Sequence, residues 1–327
     1  MTWPVTALFG GIVLLMLSAE MFVDGAAAAA KRAGLTPLLI GMVVIGFGSS
    51  LPEVVVSAFS AWNGNPGLAL GNAFGSNITN IALTLGVTAL VRPVVVKSSV
   101  LQRELPLLTL ITAIAALLLF DDHRLDRTDA WVLIGTFVVV MGWSIWSSLR
   151  IRSDELATDV SLALTEPLSM PKALTYLVLG LAMLVLSSRI LVWGGVSVAR
   201  ALGIDDLIIG LTVVALGTSL PELASSIVAV RKGEYDLAVG NVIGSNVFNT
   251  SVVVGVAGAI APAPLSPAIL TRDFPVMAVL TLILFVMGYW FRGPGTGRVN
   301  RFEGALLVLA YCGYNMVLAI TAITHAT

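Results

Sequence analysis

Long apolar runs separated by short polar intervals set the organisation of the chain. Runs near residues 5–29, 37–62, 68–91, 104–120, 129–149, 173–200, 207–230, 237–261, 274–291 and 303–323 are each close to bilayer-crossing length, since about 20 helical residues span a hydrocarbon core of roughly 30 Å. The pattern predicts an all-α integral membrane protein with ten transmembrane helices. One polar interval, Arg150 to Lys172, is long enough to separate two units; it carries Asp154, Glu155, Asp159, Glu166, Pro167 and Pro171 and reads as a linker. The first run, Val5 to Ala19, has no preceding positive charge, and the first basic residues, Lys31 and Arg32, follow it. A retained first helix is expected there rather than a cleaved leader.

The polar positions repeat. A shift of 169 residues lays Gly41–Ser57 (GMVVIGFGSSLPEVVVS) on Gly210–Ser226 (GLTVVALGTSLPELASS), and Gly71–Asn80 (GNAFGSNITN) on Gly240–Asn249 (GNVIGSNVFN). The same shift pairs Arg103-Glu104-Leu105-Pro106 with Arg272-Asp273-Phe274-Pro275. A register held this long marks an internal duplication. Residues 1–150 and 173–327, flanking the linker 151–172, then hold five helices each. Because five is odd, the second copy enters the membrane from the opposite side. Two inverted five-helix repeats are an arrangement of secondary transporters, whose sites lie at the midplane between the halves.

Basic residues orient the chain. Thirteen lie on the side reached after the first, third, fifth, seventh and ninth helices: Lys31, Arg32, Arg92, Lys97, Arg103, Arg150, Arg152, Lys172, Arg231, Lys232, Arg292, Arg298 and Arg301. Four, Arg124, Arg127, Arg200 and Arg272, lie on the other, and Arg189 falls within the sixth helix. The positive-inside rule therefore places both termini on the non-cytoplasmic side of a plasma (inner) membrane.

Composition narrows the function classes. The chain is 57% hydrophobic and 11% charged, with a mean hydropathy of +0.96, against about 25% charged residues in soluble domains. No sizeable soluble domain fits between the helices. The 18 Lys and Arg nearly cancel the 19 Asp and Glu, so no nucleic-acid partner is expected, and no obligate protein partner is evident. The single Cys312 excludes disulfides and Cys-based metal sites within the chain. Both histidines, His123 and His325, lie outside the predicted spans, so a serine nucleophile in the membrane would have only Glu53 or Glu222 as its base. There is no GxxxxGK[ST] phosphate loop for direct ATP coupling. An enzyme is not expected, and no cofactor is called for.

Of the 19 acidic residues, Glu53 and Glu222 alone sit mid-span in strongly apolar segments, and they are equivalent under the repeat. A carboxylate near the bilayer centre costs about 2.5–3.5 kcal/mol on insertion scales, so each demands a partner. No Lys or Arg lies near either in sequence, which favours a bound cation. Ser49, Glu53 and Ser57 fall at i, i+4 and i+8 with Ser50 adjacent, and Thr218, Glu222 and Ser226 with Ser219 repeat the pattern. Pro52 and Pro221 cannot donate to the preceding turn, freeing the carbonyls of Gly48 and Gly217 and disturbing those of Ser49 and Thr218. Freed carbonyls are tolerated at this depth where they line a cavity or hold something. Asn72, Ser76 and Asn80 form a further stripe, mirrored by Asn241, Ser245 and Asn249. Carboxylates, hydroxyls and amide carbonyls suit a hard cation, and Ca²⁺ takes about 6–8 such oxygens.

Blander roles stand beside this reading. The two glutamates could share a proton. Serine and asparagine also act as interhelical glue, and for Asn72 and Asn241 both roles are open. Gly71/Gly75 and Gly240/Gly244 match GxxxG and are read as helix-packing positions. Glu20, Asp24 and Arg189 fit either solvated helix ends or a gate ion pair. The cluster Asp121, Asp122, Asp126 and Asp129 reads as a solvated loop.

GSSLPE and GTSLPE, followed by GNAFGSNITN and GNVIGSNVFN, resemble the two alpha-repeats of the cation/calcium exchanger superfamily, in particular its small prokaryotic sodium/calcium exchangers. The alpha-repeats would span about 41–91 and 210–260. The resemblance implies an antiporter moving Ca²⁺ against Na⁺ by alternating access through one central cluster. By position, Glu53 and Glu222 with the carbonyls of Ser49 and Thr218 would hold Ca²⁺. The same residues with Ser50, Ser76, Ser219, Ser245 and the carbonyls of Gly46 and Ala215 would form the Na⁺ sites, with Asn80 and Asn249 lining the centre. Asn249 stands where several exchangers carry aspartate, and Ser49 replaces the usual threonine. Proton-driven calcium exchangers share the layout but usually place an acid in the GN-containing helix, where Asn72 to Asn80 has none; a cation channel is a more distant alternative. Ca²⁺ and Na⁺ are expected to compete for the two glutamates, with the first and sixth helices sliding across a fixed core.

Overall fold

The structure is a computed structural model that describes residues 2–33, 35–97, 103–151, 168–202, 215–289 and 296–326. The helices are α1 (Thr2–Ala33), α2 (Pro37–Ser49), α3 (Leu51–Trp62), α4 (Pro66–Val91), α5 (Leu105–Asp121) and α6 (Arg127–Ile151). After them come α7 (Met170–Ala201), α8 (Ala215–Thr218), α9 (Leu220–Arg231), α10 (Tyr235–Ile260), α11 (Phe274–Tyr289) and α12 (Arg301–Ala326). Among the described residues, seven helical stretches are long and apolar enough to cross a membrane, or up to eight if α2 and α3, bent by 43° at Ser50, count as one. The chain is thus an all-helical, multi-pass membrane protein. Most of the linker expected at 151–172, and the first part of the run expected at 207–230, lie outside the described residues.

Among the described residues, two short antiparallel ladders add to the all-α expectation. β1 (Val94–Lys97) pairs with β4 (Thr296–Val299), Val94 opposite Val299, and β2 (Arg124–Leu125) pairs with β3 (Ala263–Pro264). Each ladder joins a connecting segment from the first half of the chain to one from the second, at the ends of the helices where backbone groups need partners.

The interior is built by α2, α3, α4, α9 and α10, while α1 and α7 lie against each other along their lengths. Glycines set both contacts. At Gly244 an added Cβ would meet the carbonyl oxygen of Met42 at 2.4 Å, and at Gly240 that of Leu38 at 2.5 Å, so α10 crosses α2 backbone to backbone. The GxxxG reading holds for Gly240 and Gly244 and fails for Gly71 and Gly75, where an added Cβ would meet nothing within 4 Å; Phe47 and Phe248, stacked 5.0 Å apart, close the α2–α10 crossing. Gly25 of α1 presses on the backbone of Leu177, and Gly180 of α7 on that of Phe22. Such contacts are the main attraction between helices in lipid, where no hydrophobic force drives them together. Gly244→Val should therefore fail to give a monodisperse, cooperatively unfolding protein in mild detergent, whereas Gly142→Val, on an open face of α6, should behave as the parent. A Gly244→Val protein melting within a degree or two of the parent would contradict this packing.

α-Helical winding is interrupted where the polar stripes sit. π-Helical turns occupy Gly41–Gly46, Thr79–Leu85, Asn249–Val253 and Ile269–Asp273. Such turns displace backbone carbonyls from their usual partners and recur at functional sites. The stretches holding Asn80 and Asn249 coincide under the 169-residue shift.

Candidate cation site

The site begins with two breaks. Pro52 follows Leu51 at the start of α3, and Pro221 follows Leu220 at the start of α9. The preceding residues, Ser50 (φ −87, ψ 7) and Ser219 (φ −92, ψ 6), adopt nearly the same backbone, in the sparsely populated bridge region. Each glutamate then sits in the first turn of the following helix, Glu53 in α3 and Glu222 in α9, where the backbone N–H groups favour negative charge.

Both carboxylates are buried, at 0% and 1% exposure, and the charges of Glu222 and of Arg189 both reach Glu53. Neither oxygen of Glu53 has a hydrogen-bond partner among the described residues. Glu222 accepts a bond from the Ser50 hydroxyl at 3.0 Å through Oε1, and its Oε2 is unpartnered. The Ser50 bond crosses between the two halves of the chain. Ser219, the repeat equivalent of Ser50, is buried with its hydroxyl unpartnered. Asn80 and Asn249, at 1% and 0% exposure, likewise have no partner for either amide atom. The π-helical stretch bearing Asn80 packs on α9, which carries Glu222, and the one bearing Asn249 packs on α3, which carries Glu53. Buried oxygens without partners are costly, and this collection is what a hard cation satisfies.

The other sequence candidates fall into two groups. Ser245 donates to the Gly46 carbonyl at 3.1 Å, a carbonyl that also receives the Ser50 backbone N–H at 3.2 Å. The Ser49 hydroxyl turns back to the Ile45 carbonyl at 2.8 Å and lies 3.4 Å from the Asn241 Oδ1. These groups brace the breaks. Ser76 is buried and Thr218 half-buried, while Ala215 stands at the first described residue of α8.

The geometry resolves Asn72 and Asn241. Asn72 donates to the Glu53 carbonyl at 3.1 Å and the Ser57 hydroxyl at 2.9 Å. Asn241 donates to the Glu222 carbonyl at 3.0 Å and the Ser226 hydroxyl at 2.8 Å. Both tie the GN-containing helix to the backbone of the glutamate it faces, which is the glue role.

Three further polar residues, not among the sequence candidates, join the structure around the site. Asn77 and Asn246 are repeat equivalents in the two GSN triplets, and Asn77 donates to the Thr250 hydroxyl at 2.7 Å and the Asn246 carbonyl at 3.4 Å; their recurrence was the available signal. Ser188 of α7 donates to the Gly217 carbonyl at 2.6 Å, one of the two carbonyls the prolines free.

The remaining charged candidates lie toward the surface. Asp24 pairs with Lys232 at 2.5 Å, while Glu20 and Arg189 are exposed. Asp126 and Asp129 cap the start of α6, each accepting the other's backbone N–H at 2.9–3.0 Å, and Asp122 accepts that of Arg124. The acidic cluster is a capped, solvated turn.

The family described as "Sodium/calcium exchanger protein" matches residues 3–146 and 172–320, both halves of the chain. The chain belongs to the sodium/calcium exchanger protein family. It is 44% identical over 309 residues to the putative antiporter CaxA of Alkalimonas amylolytica, covering 94% of this chain and 96% of the relative. It is 40% identical over 294 residues to the inner membrane protein YrbG of Escherichia coli (strain K12), covering 88% and 89%. Among solved structures it resembles the sodium-calcium exchanger NCX_Mj, soaked with Na⁺ and Ca²⁺, with a TM-score of 0.80, 27% identity and 97% of each chain covered. Membership of this exchanger family makes the chain a transporter and not a member of an enzyme family.

Proposed function

We propose that this chain exchanges Na⁺ for Ca²⁺ across the inner membrane by alternating access at one midplane site. The site is built on Glu53 and Glu222, with Ser50, Ser219, Ser76, Ser245, Asn80, Asn249 and the backbone around Gly46, Ser49, Ala215 and Thr218. The observation that carries the reading is the pair of buried carboxylates, Glu222 bonded by Ser50 at the break that precedes the helix of Glu53, whose remaining oxygens find no partner among the described residues. Such a pair with charge near −2 is balanced by one Ca²⁺ or by Na⁺ ions occupying the same oxygens, so binding of one excludes the other. Competition at a single site, exposed to one face at a time, gives antiport.

The architecture proposed with it is two inverted five-helix repeats, ten spans in all, joined by a cytoplasmic linker at 151–172. Both termini lie on the non-cytoplasmic side, and the chain acts without a cofactor. α1 and α7, held together by Gly25 and Gly180, slide as one element over a fixed core of α2, α3, α4, α9 and α10. Rigid movement of one bundle against another is how inverted-repeat transporters alternate.

The test is ⁴⁵Ca²⁺ uptake into proteoliposomes loaded with Na⁺, K⁺ or choline, with and without an imposed pH gradient. Uptake is expected only with an outward Na⁺ gradient. Uptake driven by the pH gradient alone would make the glutamates proton carriers, and uptake indifferent to both gradients would make the protein a channel.

A further inference from the structure

In an inverted-repeat transporter the two end states are related by exchanging the conformations of the two halves. If the halves had identical sequences, the states would have equal energy. Any preference between them must therefore reside where the repeats differ, in contacts that one state makes and the other has no residues to make.

Here the moving pair meets the two halves of the core unequally. α1 packs along α9, whereas its counterpart α7 barely touches α3. On α9, Ala224 and Val228 are covered, each 2% exposed. The repeat equivalents on α3, Val55 and Phe59, are 49% and 65% exposed. Two polar contacts accompany this docking. The buried Ser188 hydroxyl of α7 donates to the Gly217 carbonyl at 2.6 Å, beside Thr218 and the Ser219 hinge. At the end of α9, Lys232 pairs with Asp24 of α1 at 2.5 Å, with both side chains partly exposed. Neither contact has a mirror: Ala19 stands in place of Ser188, Trp193 in place of Asp24, and Asn63 in place of Lys232.

We infer that Ser188, assisted by the Asp24–Lys232 pair, is a one-sided latch that holds the α1–α7 element in the state with α1 docked on α9. This rests on the alternating-access reading above. Ser188 is a positioning residue: it satisfies a carbonyl that Pro221 frees, and it does so from the element that moves. When that element slides toward α3, the Gly217 carbonyl loses its donor, and Ala19 offers nothing to the equivalent carbonyl of Gly48. The buried bond is the stronger of the two contacts, because an exposed ion pair contributes little.

The experiment measures the state without requiring transport. Spin labels at Trp62→Cys and Leu202→Cys, in a Cys312→Ala background, report the separation between the ends of α3 and α7 in reconstituted protein by pulsed electron resonance. Ser188→Ala should raise the shorter-distance population, in which α7 has moved onto α3, by about 2- to 10-fold relative to the parent, the range expected for one hydrogen bond. Ala19→Ser, which builds the missing donor, should move the population the same way, and Lys232→Gln should do so more weakly. Distance distributions in Ser188→Ala and Ala19→Ser that superimpose on the parent would overturn the latch. Failure of Na⁺-driven Ca²⁺ uptake in the parent would strike the function and leave this distance measurement intact.

Discussion

Glu53→Gln and Glu222→Gln are each expected to abolish Na⁺-dependent Ca²⁺ uptake while leaving a folded protein. The substitution keeps the shape of the side chain and removes one of two negative charges. A divalent ion bound against a single charge leaves a net positive charge in a low-dielectric interior, where an uncompensated charge costs several kcal/mol. Since each 1.4 kcal/mol is tenfold in affinity, Ca²⁺ binding should weaken on the order of 100-fold or more. Folding should survive for reasons visible in the structure. Neither oxygen of Glu53 bonds to the described protein, so no structural bond is lost there. At position 222 a glutamine oxygen can still accept the Ser50 hydroxyl that Glu222 accepts at 3.0 Å. The amide also lacks the charge that makes a buried carboxylate costly, so the thermal midpoint should stay level or rise. Equilibrium ⁴⁵Ca²⁺ binding and melting curves of the same preparations separate the two effects. A variant that transports at the parental rate would remove that glutamate from the ligand set.

The two glutamates, the prolines beside them and the asparagine stripes were legible in the chain because they occur twice at one spacing and are polar where the surroundings are not. The breaks at Ser50 and Ser219 follow from Pro52 and Pro221, whose missing N–H is a local property. What the chain left open depended on partners distant in sequence. Asn72 could line a path or brace a helix until its bond to the Glu53 carbonyl, 19 residues away, was placed. Ser188 escaped because its repeat counterpart is Ala19: a search for recurring polar positions discards the residues in which the halves differ. The β1–β4 ladder was equally hidden, since Val94–Lys97 and Thr296–Val299 are too short to compete with the apolar runs around them and find each other only after the helices pack. The solvated character of the turn at Asp121–Asp129 is legible in its charge, whereas its capping bonds depend on side-chain directions that composition does not carry.

Joining the moving element to the core should stop exchange completely, whereas joining α1 to α7 should not. The structure supplies both pairs. Asp24 of α1 and Lys232 at the end of α9 lie in contact, so Asp24→Cys with Lys232→Cys, in the Cys312→Ala background, can be bridged by a short bis-methanethiosulfonate, which forms a disulfide to each thiol with loss of sulfinate and is cleaved by a reductant. Arg32 of α1 donates to the Leu168 carbonyl just before α7, so Arg32→Cys with Leu168→Cys forms a bridge within the element itself. If α1 and α7 travel together over the core, the first bridge holds the site open to one face only, and the second leaves it free to alternate. Ca²⁺ uptake should fall to the level of empty liposomes with the first bridge, recover when the reagent is cleaved, and continue near the unbridged rate with the second. Equilibrium Ca²⁺ binding should persist in both, because none of these four residues touches Glu53 or Glu222. Exchange that continues through the Asp24–Lys232 bridge would require the core to move with α1, and the division between a sliding pair and a fixed core would have to be redrawn.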